Sequence, residues 1–273
     1  MHKILVLFIA VMLLYSCSST HPYTASNKLY QSQSKAFGKV IASKPTEKKL
    51  SDSTKIPKHW VGATNFGLRR PSYVIIHHTA QQSCEKTLTT FTTEKSQVSA
   101  HYVICKDGSL HHMLNDYLRA WHAGNSKWGN MTDINSSSIG IEIDNNGIDT
   151  FTTAQIDVLL GLLSELKDTF KIPTANFIGH SDIAPKRKVD PNINFPWKLL
   201  ADKGFGNWYA DTTGLQLPIN FDSKIALRII GYDVNDLNAA TEAFRRHFVT
   251  SNNKGKLTEG EQKILYRLME KFL

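Results

Sequence analysis

Phe177-Ile178-Gly179-His180-Ser181-Asp182-Ile183-Ala184-Pro185-Lys186-Arg187-Lys188-Val189-Asp190-Pro191 is an apolar strand end running into a Pro-bounded loop. The loop leaves the sheet at His180 and brings Asp190 back towards it. A neutral imidazole and a carboxylate meeting at one point are ligands for a divalent zinc, but two ligands do not complete a site. The best third candidate is His77, at the end of Tyr73-Val74-Ile75-Ile76-His77-His78-Thr79-Ala80. Its β-branched, aromatic run predicts a central strand. Successive strand residues point to opposite faces, so His77 and His78 cannot easily serve one ion.

Outward from these two segments, the chain alternates strands and helices. Ser83–Ser96 reads as a helix, Ala100–Cys105 as a strand, and Lys106-Asp107-Gly108 as a hairpin turn leading to Leu110–Leu114. In Ser138-Ile139-Gly140-Ile141-Glu142-Ile143-Asp144 the isoleucines share one face, and Gly140, Glu142 and Asp144 share the other. Thr152 and Gln155 form a capping-box pattern. Ile156, Leu159, Leu160, Leu163, Leu166 and Phe170 then fall on one helical face. This order predicts an α/β fold with a mixed central β-sheet flanked by helices. A boundary falls near 213–218, and three short helical segments follow. They begin near Asp222, Asn235 and Thr258, and Gly231 ends the first. The expected domains are thus a body over 59–215 and a small helical domain over 216–273, near the lower limit for independent folding.

Five motifs occur in order: Val74-Ile75-Ile76-His77-His78-Thr79-Ala80, Ser99-Ala100-His101-Tyr102, Ala120-Trp121-His122-Ala123-Gly124, Ser138-Ile139-Gly140-Ile141-Glu142, and Gly179-His180 through Asp190-Pro191. Together they resemble the zinc-dependent N-acetylmuramoyl-L-alanine amidases of the type 2 family, which includes peptidoglycan recognition proteins and phage amidases. The resemblance covers residues 60–205. Ile229-Ile230-Gly231-Tyr232-Asp233 and Ala243-Phe244-Arg245 further resemble a three-helix peptidoglycan-binding domain.

By position, the resemblance implies one Zn2+ ion held by His77, His180 and Asp190. His77 is preferred to His78 because the family's ligand directly follows the apolar strand. Two histidines and one carboxylate leave a fourth position open, the mark of a catalytic site. Glu142 falls on the family's acid/base position, with Asp144 as the lesser rival, and Lys188 on its basic residue beside the metal. His122, Tyr102 and Trp121 resemble substrate-contacting positions. Tyr102 equally suits a core, and Trp121 and Trp128 suit either sugar stacking or loop support. Asn192 stands where many relatives have glycine. The implied activity is hydrolysis of the amide between N-acetylmuramic acid and L-alanine in peptidoglycan or muropeptides. The alternatives are a non-catalytic peptidoglycan-binding protein and a zinc peptidase acting within the stem peptide.

Near the N-terminus, Lys3 and the eleven apolar residues Ile4–Leu14 fit a secretory signal and are too few to span a bilayer. Leu14-Tyr15-Ser16-Cys17 resembles a bacterial lipobox, with Cys17 as the lipidated residue and a bulky Tyr15 as a departure. Ser18 after the cysteine resembles an outer-membrane address, so a periplasm-facing lipoprotein anchored through Cys17 is expected, as a monomer. Residues 18–58 carry eight lysines against Glu47 and Asp52, hence +6 of the net +8, and read as a flexible basic tether. Residues 59–273 contribute only +1, which excludes a strongly basic nucleic-acid-binding body. For Cys84 and Cys105 in an exported chain, a disulfide and two buried thiols both remain open.

Overall fold

The structure is a computed structural model that describes residues 22–43 and 63–273. The chain divides into two compact units, Met1–Phe66 and Gly67–Leu273. In the first, the described residues form one helix, α1, Thr24–Ala42. This corrects part of the expected tether. Leu29, Phe37 and Val40 recur on one side of α1 and Lys28, Lys35 and Lys39 on another, with no proline to interrupt them. Composition alone hid that period. None of its side chains is buried, and among the described residues no helix is long and apolar enough to cross a membrane. The expected signal segment with Cys17, and residues 18–21 and 44–58 of the expected tether, lie outside the described residues.

The second unit is built on a five-stranded sheet of order β3-β2-β4-β1-β5. The strands are β1 Tyr73–His78, β2 Tyr102–Ile104, β3 Leu110–His112, β4 Ser138–Ile143 and β5 Phe177–Gly179. All pairs are parallel except β2–β3, so the sheet is mixed. The β2–β3 turn uses Gly108 at φ 87°, a left-handed conformation that glycine adopts without strain.

Helix α2, Cys84–Phe91, is capped by Ser83 and stops short of the expected Ser96, where a 3-10 turn follows. Cys84 and Cys105 are joined in a disulfide that ties the start of α2 to the end of β2. Helix α3, Ile134–Ser137, leads directly into β4. Helix α4, Thr153–Phe170, has the complete Thr152–Gln155 capping box. Its buried face packs on Val74, Ile76, Ile139, Ile141, Ile143 and Phe177 to form one core. Helix α5, His180–Ile183, directly follows β5, and α6 is Trp197–Asp202.

The opposite face of the sheet presents Ile75 and Ile178, and the C-terminal helices cover it. These are α7 Ser223–Ile230, α8 Leu237–Phe244 and α9 Glu259–Met269, starting at the caps Asp222, Asp236 and Thr258. Ile75, Ile178, Ile183, Leu227, Phe244 and Leu265 belong to one core. The expected separate domain over 216–273 is thereby corrected. Helices of this size bury too little among themselves, and here their apolar faces close on the sheet within a single unit. Phe244 and Arg245, part of the peptidoglycan-binding resemblance, are 0% and 1% exposed. Arg245 pairs with Glu261 and donates to the Asn253, Gly255 and Lys256 carbonyls, so it serves as an internal strut.

Candidate active site

Strands β1, β4 and β5 run parallel, so their C-terminal ends share one edge of the sheet, the edge where open α/β sheets place their ligands. His77 is the register partner of Glu142 across β1–β4, which sets the two side by side on one face. Strand β5 ends at Gly179, and His180 opens α5 from the same edge. Gly179 keeps the space tight there: a Cβ would lie 3.0 Å from Pro191 and from Trp197 and would press on both. Ser181 N–H donates to the Asp190 carbonyl at 2.8 Å, folding the loop so that Asp190 returns beside His180.

Three donor atoms meet at this edge. His77 Nδ1 and His180 Nδ1 are 2.9 Å apart, and each lies 3.0 Å from Asp190 Oδ2. All three residues are buried. The triangle fits a divalent ion, since tetrahedral ligands at zinc's usual bond lengths sit roughly 3.3 Å from one another. The donor set agrees, because two imidazole nitrogens facing each other across one carboxylate oxygen leave room for at most one shared proton. At its far side His180 Nε2 lies 3.1 Å from the Ala123 carbonyl, an acceptor that holds the N–H on that nitrogen and leaves Nδ1 with its lone pair.

Burial, reinforced by the neighbouring His180, lowers His77 to about 4. Burial alone would push Asp190 up, but hydrogen bonds from His180 and His77 outweigh it and hold the carboxyl well below its usual range. Glu142 is raised to about 8, by burial first and then by the Asp190 charge, with Lys188 opposing. Its Oε1 lies 4.0 Å from His77 Nδ1, and its buried Oε2 has no hydrogen-bond partner. An unpartnered carboxylate oxygen beside three convergent donors is a group kept ready for a proton or a substrate atom.

The remaining expected residues separate. His78 points to the other face, where its Nδ1 accepts the Asn192 N–H at 3.0 Å. Asn192 in turn donates to Asn145, so it ties the loop after Asp190 to the loop after β4. Asp144, 3% exposed, lies just past β4, held by its backbone N–H to the Ile104 carbonyl and by Gln155 donating to its own carbonyl, and is not one of the three donors. Trp121 is 47% exposed, with its backbone held by Ser99. Trp128 is buried where a side chain at Gly231 would stand, so it supports the C-terminal helices.

Two expected substrate contacts are corrected. Tyr102 is 6% exposed and faces the α4 core, with its hydroxyl donating to Asp116. Its pairing with Ile141 puts it on the face away from Glu142. His122 is 9% exposed and lies behind His77, not over the cleft. Both corrections depend on strand register and loop path, which local sequence does not carry.

Asp182 had no assigned role. Its carboxylate accepts from Gly179 N–H, from the Tyr232 hydroxyl and from His247 Nδ1, at 2.8, 2.7 and 2.7 Å. The loop bearing two of the three donors is thus fastened to the C-terminal segment. Tyr232 and His247 lie some fifty residues or more from Asp182 in sequence, and no short motif could have linked them.

Residues 67–193 match the family model described as N-acetylmuramoyl-L-alanine amidase. The chain is 32% identical over 234 residues to N-acetylmuramoyl-L-alanine amidase AmiD of Escherichia coli (strain K12), an alignment covering 74% of this chain and 84% of that protein. The chain belongs to the N-acetylmuramoyl-L-alanine amidase family. The amidase is also similar to solved structures. One is a complex of E. coli AmiD with the substrate anhydro-N-acetylmuramic acid-L-Ala-D-gamma-Glu-L-Lys (TM-score 0.68, 29% identity, 77% of this chain and 93% of that one). Another is AmpDh3 from Pseudomonas aeruginosa (TM-score 0.68, 30% identity, 80% and 98%). As a member of this family the amidase is an amide hydrolase with the mixed-sheet fold described above.

Proposed function

We propose that this amidase is a single-zinc hydrolase of the bond between the lactyl group of N-acetylmuramic acid and L-alanine, in peptidoglycan or in muropeptides released from it. The observation that carries the metal is the triangle of His77 Nδ1, His180 Nδ1 and Asp190 Oδ2, with edges of 2.9, 3.0 and 3.0 Å. A divalent cation held there supplies Lewis-acid chemistry, polarising an amide carbonyl and making water more acidic. Glu142 accepts the proton of the attacking water and passes it to the departing amine. Its unpartnered Oε2 and its pKa, raised by burial to about 8, suit a group that must hold that proton in mid-reaction. Lys188, whose charge acts on Glu142 and His77, stabilises the negative charge that develops on the carbonyl oxygen. Trp121, exposed beside the buried His122, is the remaining candidate for stacking on sugar. The sequence Leu14-Tyr15-Ser16-Cys17-Ser18 supports a lipid anchor and an outer-membrane, periplasm-facing location.

The test is mass spectrometry of products after incubating the protein from residue 20 onward with purified muropeptides, with zinc or with a chelator. Free stem peptide starting at L-alanine, formed with zinc and abolished by the chelator, is the expected result. Glu142→Ala should lose turnover by a factor on the order of 100–10,000 while retaining bound zinc. Shortened peptides still attached to the sugar would instead identify a stem-peptide peptidase. Full activity of Glu142→Ala would overturn its assigned role.

A further inference from the structure

Behind His77 runs a chain of hydrogen bonds that ends on a backbone carbonyl. His77 Nε2 lies 3.0 Å from His122 Nδ1, His122 Nε2 lies 3.1 Å from Ser138 Oγ, and Ser138 Oγ lies 2.7 Å from the Ile134 carbonyl. His77, His122 and Ser138 are all buried. We propose that His122 and Ser138 are positioning residues that fix the tautomer of His77, so that His77 presents a lone pair and not a proton to the triangle. The proposal rests on the zinc reading of that triangle.

The direction of the chain follows from its end. A carbonyl oxygen cannot donate, so the Ser138 hydroxyl gives its one hydrogen to Ile134 O, its shorter contact. The serine oxygen then accepts from His122 Nε2–H. Neither hydrogen-bond partner of the His122 ring is an acid, and a neutral imidazole carries one N–H. With that proton on Nε2, His122 Nδ1 has only a lone pair and must accept from His77 Nε2–H. His77 Nδ1 is left without a proton. Reversal anywhere along the chain would put an N–H into the triangle, against His180 Nδ1.

The surroundings are built to hold this chain. Asn135 Oδ1 accepts the backbone N–H groups of His122 and Ala123 at 3.1 and 2.9 Å, fixing where the ring enters. On β4, Gly140 has no side chain, and a Cβ there would fall 2.4 Å from His122 Cγ. The Trp121-His122 and Ser138-Ile139-Gly140 segments are therefore two halves of one device. His77 and His180 are treated alike, each directing its Nε2–H away from the triangle. His180 donates its Nε2–H to a carbonyl directly, and His77 donates its own to His122, which donates in turn to Ser138.

The test uses Ser138→Ala in the whole protein, with zinc as the probe. Zinc affinity is read by competition with a chromophoric chelator, and the imidazole tautomers by long-range 1H–15N spectra. Ser138→Ala removes the acceptor for His122 Nε2–H and should weaken zinc about 10- to 100-fold. Thermal unfolding of the metal-free variant should stay cooperative, with a midpoint lowered by the loss of a buried hydrogen bond. In the zinc-loaded wild type, His122 should carry its proton on Nε2. Wild-type zinc affinity in Ser138→Ala would overturn the relay and leave the zinc site standing, and so would a proton on His122 Nδ1 in the wild type. A wild type that binds no zinc would overturn the metal reading and the relay with it.

Discussion

Glu142 shows how one side chain can be costly to the fold and useful to the site. Its pKa rises from 4.5 to about 8, chiefly through burial. Between those values the metal-free native state holds a proton that the unfolded chain has released, so stability falls as pH rises across the window. Glu142→Gln takes no part in this titration. Its stability relative to wild type should therefore begin to rise above pH 4.5 and reach a plateau above about 8, by at most ~5 kcal/mol. His77, lowered from 6.5 to about 4, adds a slope of the opposite sign in both proteins and cancels in the comparison. Urea titrations of both proteins with chelator, near pH 5 and near pH 9, would measure the effect. A constant difference between the two proteins would refute it. Zinc should reduce the gap, because a nearby cation favours the carboxylate. At this scale the convergence of His77, His180, Asp190 and Glu142 on one sheet edge was legible in sequence, since each sits at a strand end or in a Pro-bounded loop. Tyr102 and His122 were not. Tyr102 lies on the opposite face from Glu142, and His122 reaches the site through a loop whose path is set by Asn135.

Strand β4 is the element on which the site is assembled. Its isoleucines fill the α4 core, and its other face carries Gly140 and Glu142. Gly140 is gripped by His101, which donates its backbone N–H to the Gly140 carbonyl and accepts the Gly140 N–H on Nδ1, both at 3.0 Å. Gly140→Ala should therefore displace the His122 ring without moving the strand. Overpacking of this kind costs about 1–3 kcal/mol, and zinc affinity should drop along with thermal stability. A Gly140→Ala protein with unchanged stability and zinc binding would show that the ring has room to move. The alternation in Ser138–Asp144 was plain in the sequence because the period of two is strict. The capping boxes at Thr152 and Thr258 were plain because their signal is local. Helix α1 was missed because serine and glutamine separate its apolar and lysine stripes, so the stretch reads as polar although its helical period is intact.

Across the whole molecule, the main difference from the sequence-based expectation is the role of residues 216–273. The stretch 202–221 reads as loop, with a boundary near 213–218, because Gly204, Gly206, Gly214 and Pro218 punctuate it. What lies on either side of it is one core, in which Ile75, Ile178 and Ile183 meet Leu227, Phe244 and Leu265. Each such side chain contributes about 1.5–3 kcal/mol when buried. A chain ending at residue 215 should therefore fail to fold cooperatively. Circular dichroism and recovery in the soluble fraction would show this, and a soluble, cooperatively melting fragment would contradict it. The Asp182 contacts carry a consequence for protein engineering. Tyr232 and His247 supply two of the three donors to that buried carboxylate. A chimaera that exchanges the C-terminal helices for another helical module would strand an anion two residues from His180. Any transplant that keeps the loop in place must bring its own hydroxyl and imidazole to the same two points, so the C-terminal helices cannot be swapped independently of the loop that carries His180 and Asp190.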